Sequence, residues 1–289
     1  MLSFPIDTVP ISGKFETGFF VPDSDTTADV VDPPPEEILQ REERMFRGRR
    51  RYVPYRRIAE AIWLGQAIVG TDGSASNDNG TYAFVILIDT EEESPTIAFR
   101  CGGNLPVLAE YLDMDSHRPE AAALYAALCF IRLLLCDYPR GPLTGPPLNL
   151  PFILGNKSVA KDDLKWHYGD STAIFNYLKS DYDLLQGIQR EISNLPIPSS
   201  VSWVKGHQDH HVPRHELSLE ALANCIADDV CTETHQQHPN DVGRLPDWIP
   251  GTGAALLHHG KLVTKKQDTY VHTAATAPRL RDRLIKKSL

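Results

Sequence analysis

The sequence predicts a mixed α/β fold in which a five-stranded sheet is flanked by helices. Three observations support this: a meander of three strands opens the central region, helices and strands alternate after it, and one short strand is wholly apolar. A meander followed by alternating elements requires antiparallel and parallel pairing in one sheet that helices cover. We therefore expect the first three strands to be antiparallel.

The predicted strands are short apolar stretches bounded by turn residues. They are QAIVGTD (66–72), TYAFVILID (81–89), SPTIAFRCGG (94–103), PFIL (151–154) and SVSWVKG (200–206). Asn79-Gly80 precedes the second strand and is a strong hairpin signal, so we expect it to form the first turn. PFIL has no polar residue, which is typical of a buried central strand.

The longest predicted helix runs from about Arg118 to Asp137. Its apolar residues recur at helical spacing on one face, namely Leu124, Leu128, Ile131 and Leu135. Four other stretches have helical character: 38–64, interrupted around Val53-Pro54, then 157–167, 179–194 and 216–234.

The chain divides into three regions by composition. Residues 1–59 form a leader, partly disordered because it is rich in Pro, Asp and Thr, that ends in an Arg-rich segment. Residues 60–235 form the predicted domain. Residues 236–289 form a C-terminal extension with a basic helix, interpreted as an appendage or linker.

Charge is unevenly distributed, although the whole chain has a formal net charge of only −9. Residues 58–260 carry 26 acidic residues against 12 Lys and Arg, whereas 41–57 carries eight Arg against two Glu and 261–289 eight Lys and Arg against two Asp. An acidic centre repels a phosphate backbone unless cations mediate the contact. The basic ends are equally consistent with solvated tails.

Cysteine usage and hydropathy indicate an intracellular protein of the cytoplasm or nucleus. The five cysteines include no C-x-x-C pair, which favours reduced thiols. No apolar run reaches about 18 residues, so no membrane span is expected. The first residues, MLSFPIDTVP, lack the features of a secretory signal, so we do not expect secretion.

Three acidic sites lie far apart in sequence, but their positions in the predicted elements would allow their carboxylates to meet. Asp72 lies at the end of, or within, the first strand, and the alternative is a turn cap. Glu120 lies on the apolar stripe near the start of the long helix, and the alternative is a charge that complements the helix dipole. Asp228 and Asp229 are adjacent in the last helix, and periodicity places Asp229 nearer the buried face. Carboxylates that share a small volume require a divalent cation, which indicates two-metal phosphoryl chemistry.

Four motifs occur in order: DGSASNDNGTYAFVI, SHRPEAAALYAAL, VSWVKGHQD and LANCIADDV. Together they resemble type 1 ribonuclease H domains, of the kind attached to retroelement reverse transcriptases. The resemblance covers roughly residues 60–235. It implies the ribonuclease H-like fold and cleavage of the RNA strand of RNA–DNA hybrids with Mg²⁺ or Mn²⁺, two ions held by four carboxylates.

The resemblance assigns roles to particular residues. It makes Asp72 and Glu120 metal ligands, and its N-x-x-A-D pattern makes Asp228 the last ligand, in conflict with the periodicity that favours Asp229. His207 matches a mobile-loop histidine that helps to deprotonate the attacking water or to release product. The alternatives for His207 and the run HQDHHVPRH are an exposed polar loop or a chance zinc site, and the lack of a Cys or His pair at suitable spacing argues against zinc.

One ligand is missing from the family pattern. Gly155 stands where the resemblance implies the third carboxylate, and Asn156 follows it. Asp162 and Asp163 lie about two helical turns further on, roughly 10 Å away, and are poor substitutes. We therefore expect the second cation to be weakly held and the activity to be impaired.

The sequence also suggests residues that contact the substrate, and it leaves other functions open. Gly73, Ser74 and Asn156 are candidates for reading the 2′-hydroxyl, with ordinary turn chemistry as the alternative. The segment RMFRGRRRYVPYRR (44–57) suits nucleic-acid contact, or is part of a connection to an upstream reverse transcriptase domain. The alternative function is a catalytically inactive nucleic-acid-binding module of a retroelement polyprotein. An integrase-like domain is a third possibility, against which the last two motifs argue.

Overall fold

The computed structural model of the chain describes the greater part of the predicted domain and parts of both flanks. The described residues are 14–16, 19–21, 44–76, 79–89, 95–106, 115–140, 148–160, 180–246, 249, 257–258 and 261–265. Most of the predicted leader, the basic C-terminal helix, and both Asp162 and Asp163 lie outside these residues.

The secondary structure follows the predicted order. The strands are β1 (Lys14–Glu16), β2 (Phe19–Val21), β3 (Arg50–Arg51), β4 (Ala67–Ser76), β5 (Asn79–Ile88), β6 (Thr96–Asn104), β7 (Leu150–Leu154), β8 (Ser199–Trp203), β9 (Gly243–Arg244), β10 (Leu257–His258) and β11 (Lys261–Leu262). The helices are α1 (Tyr55–Trp63), α2 (His117–Asp137), α3 (Tyr182–Asn194) and α4 (Leu219–Gln236). Two 3₁₀ turns, Gln208–His210 and Arg214–Glu216, precede α4.

The central sheet has the order β3-β6-β5-β4-β7-β8, and β9 also pairs with β6. Strands β4, β5 and β6 are antiparallel, whereas β4–β7 and β7–β8 are parallel. The predicted fold class, a mixed five-stranded sheet whose first three strands are antiparallel and which helices flank, is confirmed. Strands β3 and β9 widen this sheet at the β6 edge.

The first hairpin forms, but not at the predicted turn. Ser76 pairs with Asn79 in the β4–β5 ladder, so Asn79 and Gly80 are the first residues of β5. The prediction that Asn79-Gly80 forms the turn is therefore wrong. Strand β4 continues four residues beyond Asp72, to Ser76, so the hairpin ladder already includes Asn79 and Gly80.

Helices cover both faces of the sheet. Helices α1, α2 and α3 pack on one face, and α4 packs on the other with Ile68, Val85 and Ile153. The predicted stripe of α2 is fully buried, as expected. Helix α2 is, among the described helices, the one long and apolar enough to cross a membrane by length and composition, but 83% of that window is buried within the protein.

The Arg-rich segment packs against the domain. The predicted helical character of 38–64 is wrong at residues 46–52, because Gly48 takes a left-handed turn (φ 77°) and β3 then pairs with β6, whereas the interruption predicted around Val53-Pro54 is present. Helix α1 begins after Pro54. Met45 and Phe46 are buried, and the Tyr82 hydroxyl donates to the Met45 carbonyl at 2.7 Å.

The residues after α4 also join the fold. Strand β9 pairs in parallel with the end of β6, and the Leu245 N–H donates to the Asn104 carbonyl at 3.0 Å. Val242, Leu245 and Val263 are buried. The compact fold therefore uses residues on both sides of the predicted 60–235 segment.

The buried Tyr82–Met45 hydrogen bond tests whether the Arg-rich segment is part of the cooperative unit. We expect Tyr82→Phe to lower the free energy of unfolding by about 1–2 kcal/mol, because it leaves a buried carbonyl without its donor. Tyr52→Phe is the control, since Tyr52 is 54% exposed and should change stability little. Urea unfolding measures both, and equal effects would show that the segment is not docked.

Candidate active site

Asp72 lies on the central strand of the sheet. Strand β4 is bonded to β5 on one side and to β7 on the other, and Asp72 pairs with Ala83. A side chain at Gly70 would collide with the backbone of Ala223 in α4, so Asp72, two residues on, projects toward the same helix. The Cys231 thiol of α4 donates to the Asp72 carbonyl at 3.2 Å. Asp72 is thus a presented carboxylate and not a turn cap.

Glu120 is brought beside β4 by close packing of backbone against backbone. It lies in the first turn of α2 and is only 5% exposed. A side chain at Gly73 would collide with the backbone of Pro119 and Glu120, so only glycine permits this approach. The predicted role of Gly73 in substrate contact stays a prediction, because helix packing already requires a glycine there.

Asp228 is the acid of α4 that faces this pair. Its Oδ2 lies 3.0 Å from Nδ1 of His207, and its charge acts on both Asp72 and Glu120. Asp229 instead accepts two hydrogen bonds from Arg214, at 2.7 and 2.9 Å. The periodicity argument for Asp229 as the inward acid is therefore wrong, and the motif position Asp228 is the one that meets the other acids.

The pKa values of Asp72 and Glu120 are raised at this site. Burial, with the charge of Asp228, raises the pKa of Asp72 from 3.8 to about 7, although His207 lowers it. Burial, with the charges of Asp72 and Asp228, raises the pKa of Glu120 well above its usual 4.5. Burial beside Asp72 also raises the pKa of Cys231, so this residue is a thiol at neutral pH. The three acids therefore form one electrostatic unit.

The chemistry of these donors fits a divalent cation. Glu120 Oε2 is buried and has no hydrogen-bond partner among the described residues, and an oxygen in that state is a natural ligand for a hard cation. Across the described part of the chain, no three His, Cys, Asp or Glu side chains form a ready-made metal group. The donor set thus fits a metal ion by type and charge, while its members are not spaced as ligands.

The position of the missing acid adjoins the same pocket. A Cβ built on Gly155 would lie 3.4 Å from Asp72 Oδ1 and 3.2 Å from Asn224 Nδ2. The Asn224 amide donates to the Thr71 carbonyl at 3.2 Å, so it is held there. The Trp203 indole N–H donates to the Gly155 carbonyl at 2.8 Å and fixes the end of β7. A carboxylate at position 155 would point at Asp72.

Asn156 has a structural task. Its Oδ1 accepts from the backbone N–H groups of Ser158 and Val159, at 2.9 and 3.3 Å, which caps the helical turn at 157–160. Its side-chain oxygen is therefore occupied and does not replace the missing ligand. Ser74 pairs with Thr81 in the hairpin and is partly exposed, and its predicted substrate contact stays a prediction.

Arg214, whose two ion pairs connect the His207 loop to α4, was not identified from the sequence. Arg214 bridges Asp229 of α4 and Asp209, two residues after His207, with its Nη2 at 2.7 Å from Asp209 Oδ2. His207 itself has a left-handed backbone (φ 53°) and is 62% exposed. The signal available in the sequence was an arginine inside the acid- and histidine-rich loop.

Comparisons with known proteins place the chain among low-identity structural neighbours. No protein-family model and no curated protein matches it. The prototype foamy virus protease–reverse transcriptase is 16% identical with a TM-score of 0.38, over 60% of this chain and 21% of its own. LC11-RNase H1, solved with an RNA/DNA hybrid, is 12% identical with a TM-score of 0.38, over 58% of this chain and 95% of its own.

RNase H1 from the halophilic archaeon Halobacterium salinarum NRC-1 is 13% identical with a TM-score of 0.32, over 56% of this chain and 98% of its own. The chain thus spans about a fifth of the foamy virus chain and most of each RNase H1 chain. Likeness at this level does not decide function, so the functional argument depends on the site itself.

The raised pKa of Asp72 predicts how stability changes with pH. Because the folded pKa lies above 3.8, the folded chain keeps a proton that the unfolded chain loses, so stability falls as pH rises from about 4 to 7. We expect Asp72→Asn to stabilise the metal-free chain at pH 7.5 by roughly 1–3 kcal/mol, with a smaller gain at pH 5. Denaturant unfolding at both pH values measures this.

Asp229→Asn is the control for that experiment. It removes an acid one residue from Asp228 but breaks only a largely exposed pair with Arg214, so it should lower stability by less than about 1 kcal/mol. A stabilisation by Asp72→Asn that does not change with pH would contradict the raised pKa.

Proposed function

We propose that the chain is a metal-dependent endonuclease of the ribonuclease H type, which hydrolyses the RNA strand of RNA–DNA hybrids with reduced efficiency. One observation carries the proposal: Asp72, Glu120 and Asp228 come from three remote elements and meet at one site, where Gly73 lets Glu120 approach β4 and where burial and the neighbouring carboxylates raise the pKa of Asp72 and of Glu120. A purely structural cluster would be paired with cations of the protein, whereas the described residues supply only His207.

In this proposal Asp72, Glu120 and Asp228 hold Mg²⁺ or Mn²⁺. A bound divalent cation supplies charge neutralisation at the scissile phosphate and lowers the pKa of a bound water. His207 is oriented by Asp228: if its Nδ1 proton is donated to that carboxylate, Nε2 is left as a base at the rim of the pocket. The exposed loop position of His207 allows it to move a proton between the site and solvent.

The arginines of residues 44–57 are the proposed contact for nucleic-acid phosphates. Two of them contact Tyr55: the Arg51 guanidinium lies 4.6 Å from its ring centroid, and Arg49 Nε donates to its hydroxyl at 3.1 Å. Exposed arginines interleaved with tyrosines suit phosphate contact with stacking. The alternative role of the same arginine-rich surface is contact with an upstream reverse transcriptase domain.

Gly155 motivates a second candidate function. Without a carboxylate at this position, one cation of a two-metal site has fewer ligands, and the chain would bind hybrids without cutting them efficiently. The candidate is an inactive nucleic-acid-binding module of a retroelement polyprotein.

A labelled hybrid tests the proposed activity. With Mn²⁺ or Mg²⁺ we expect cleavage of the RNA strand alone, lost by at least about 100-fold in Asp72→Asn because a ligand charge disappears. Asp229→Asn should retain most of the activity, since Arg214 still pairs with Asp209 and the asparagine side-chain oxygen can still accept from it. No cleavage at high Mn²⁺ and high enzyme concentration would remove the claim of activity.

Restoring the third acid separates the two candidate functions. Gly155→Asp should raise the cleavage rate at least about tenfold, because the new carboxylate reaches Asp72 after a small movement of Asn224. Gly155→Asn is the control of nearly equal shape and should not raise the rate. Cleavage found only in Gly155→Asp identifies the natural chain as a binding module, and an inert Gly155→Asp that still binds hybrid would refute the ligand assignment.

A further inference from the structure

A buried cluster of charged side chains lies at the start of α2, just before Glu120. Arg118 is fully buried and donates to both carboxylate oxygens of Asp183 at 2.9 Å. It also donates to Asp181 Oδ1 at 3.1 Å, and Nδ1 of His117 lies 2.9 Å from Asp181 Oδ2. These four residues, the α2 ion cluster, join the start of α2 to the start of α3.

Stability alone is a weak reason for such a cluster. Burying ions costs desolvation energy that their attraction offsets only in part, and apolar residues of similar size often stabilise a core equally well. Asp181 also has a left-handed backbone (φ 55°), and its side chain bonds His117 and Arg118 and makes no capping bond to α3. The fold therefore contains charge and strain here that favour one particular geometry.

The geometry that the cluster fixes is that of the first turn of α2. The forked pair between Arg118 and Asp183 restricts rotation of this turn from one side. On the other side, the backbone of Pro119 and Glu120 contacts Gly73. Because Oε2 of Glu120 has no hydrogen-bond partner among the described residues, its direction depends on how this turn is held.

A short C-terminal segment fastens the cluster from outside. The Thr264 carbonyl accepts from the Asp181 N–H at 2.8 Å, and Lys265 Nζ lies 2.5 Å from Asp115 Oδ2. Asp115 Oδ1 in turn accepts from the His117 N–H at 3.0 Å. Val263 and Thr264 are fully buried. Residues 263–265, the C-terminal strap, thus contact the cluster directly at Asp181 and, through Asp115, at His117.

We propose that the α2 ion cluster and the C-terminal strap are positioning elements for Glu120, which hold the first turn of α2 where the Glu120 carboxylate can bind a divalent cation. The inference rests on the proposed function in one respect, that Glu120 is a metal ligand. Arg118 and Asp183 act on the metal through Glu120 and touch no reacting atom. Partners of this kind typically change metal affinity by 10–100-fold when they are removed.

Asp183→Asn tests the inference with little change of shape. It leaves Arg118 balanced by Asp181, so the core keeps a paired charge and the chain should fold. Glu191→Gln is the matched control, because Glu191 is also a buried acid of α3 and pairs with Arg132 of α2 at 2.6 Å, about 18 Å along the helix from Glu120.

We expect Asp183→Asn to weaken Mn²⁺ affinity at least about tenfold by calorimetric titration, and Glu191→Gln to change it less than about twofold. Hydrogen exchange in the first turn of α2 should become faster in Asp183→Asn and remain unchanged there in Glu191→Gln. Lys265→Met should act in the same direction as Asp183→Asn, whereas Lys265→Arg should retain the native affinity.

The outcomes separate the two proposals. If the native chain binds Mn²⁺ and Asp72→Asn abolishes the binding, but Asp183→Asn and Glu191→Gln have equal effects, the positioning role is wrong and the proposed function stands. If the native chain binds no Mn²⁺, Glu120 is not a ligand and both proposals fail. Unchanged exchange in the first turn of α2 in Asp183→Asn would overturn the positioning role whatever the metal result.

Discussion

Burial of two carboxylates beside a third is the constraint on which the rest of the site depends. Asp72 and Glu120 are held close together with little solvent, and burial, followed by the charge of the neighbouring carboxylates, raises the pKa of each. The fold holds them because β4 is bonded on both sides and because Gly73 lets α2 contact its backbone. Removing charge from this pocket therefore favours folding, and under the proposed function a cation that binds only the folded arrangement favours it too.

Those features that depend on local periodicity could be predicted from the sequence. The strand order and the buried stripe of α2 follow from alternation and helical spacing, since a core face repeats along one element. Asp228 could not be chosen by the same argument, because a residue at the rim of a site does not lie on the core stripe. The pair between Arg214 and Asp229 distinguishes the two acids, and Arg214 lies in a loop that helical periodicity does not describe.

Features that depend on distant partners could not be predicted. Arg118 lies within a quoted motif, yet its role depends on Asp181 and Asp183, more than sixty residues later. The strand Arg50–Arg51 looks like a solvated basic run, because strand pairing through the backbone leaves no mark on side-chain pattern. In both cases the charged side chains suggest exposure to solvent. The structure shows instead that Arg118 is buried and that the backbone of Arg50–Arg51 pairs with β6. An arginine on a largely apolar helix is nevertheless a signal that a buried counter-ion exists.

The loss at Gly155 is confined to one side chain. The indole of Trp203 still holds the carbonyl of this residue, and Asn224 still lies between the end of β7 and Asp72. A fourth carboxylate would add repulsion to a pocket where Asp72 already has a pKa near 7. Under the proposed function, its absence makes the metal-free fold easier to maintain and a divalent cation harder to bind. The stability of the metal-free fold and the affinity for a cation therefore place opposite demands on the residue at this position.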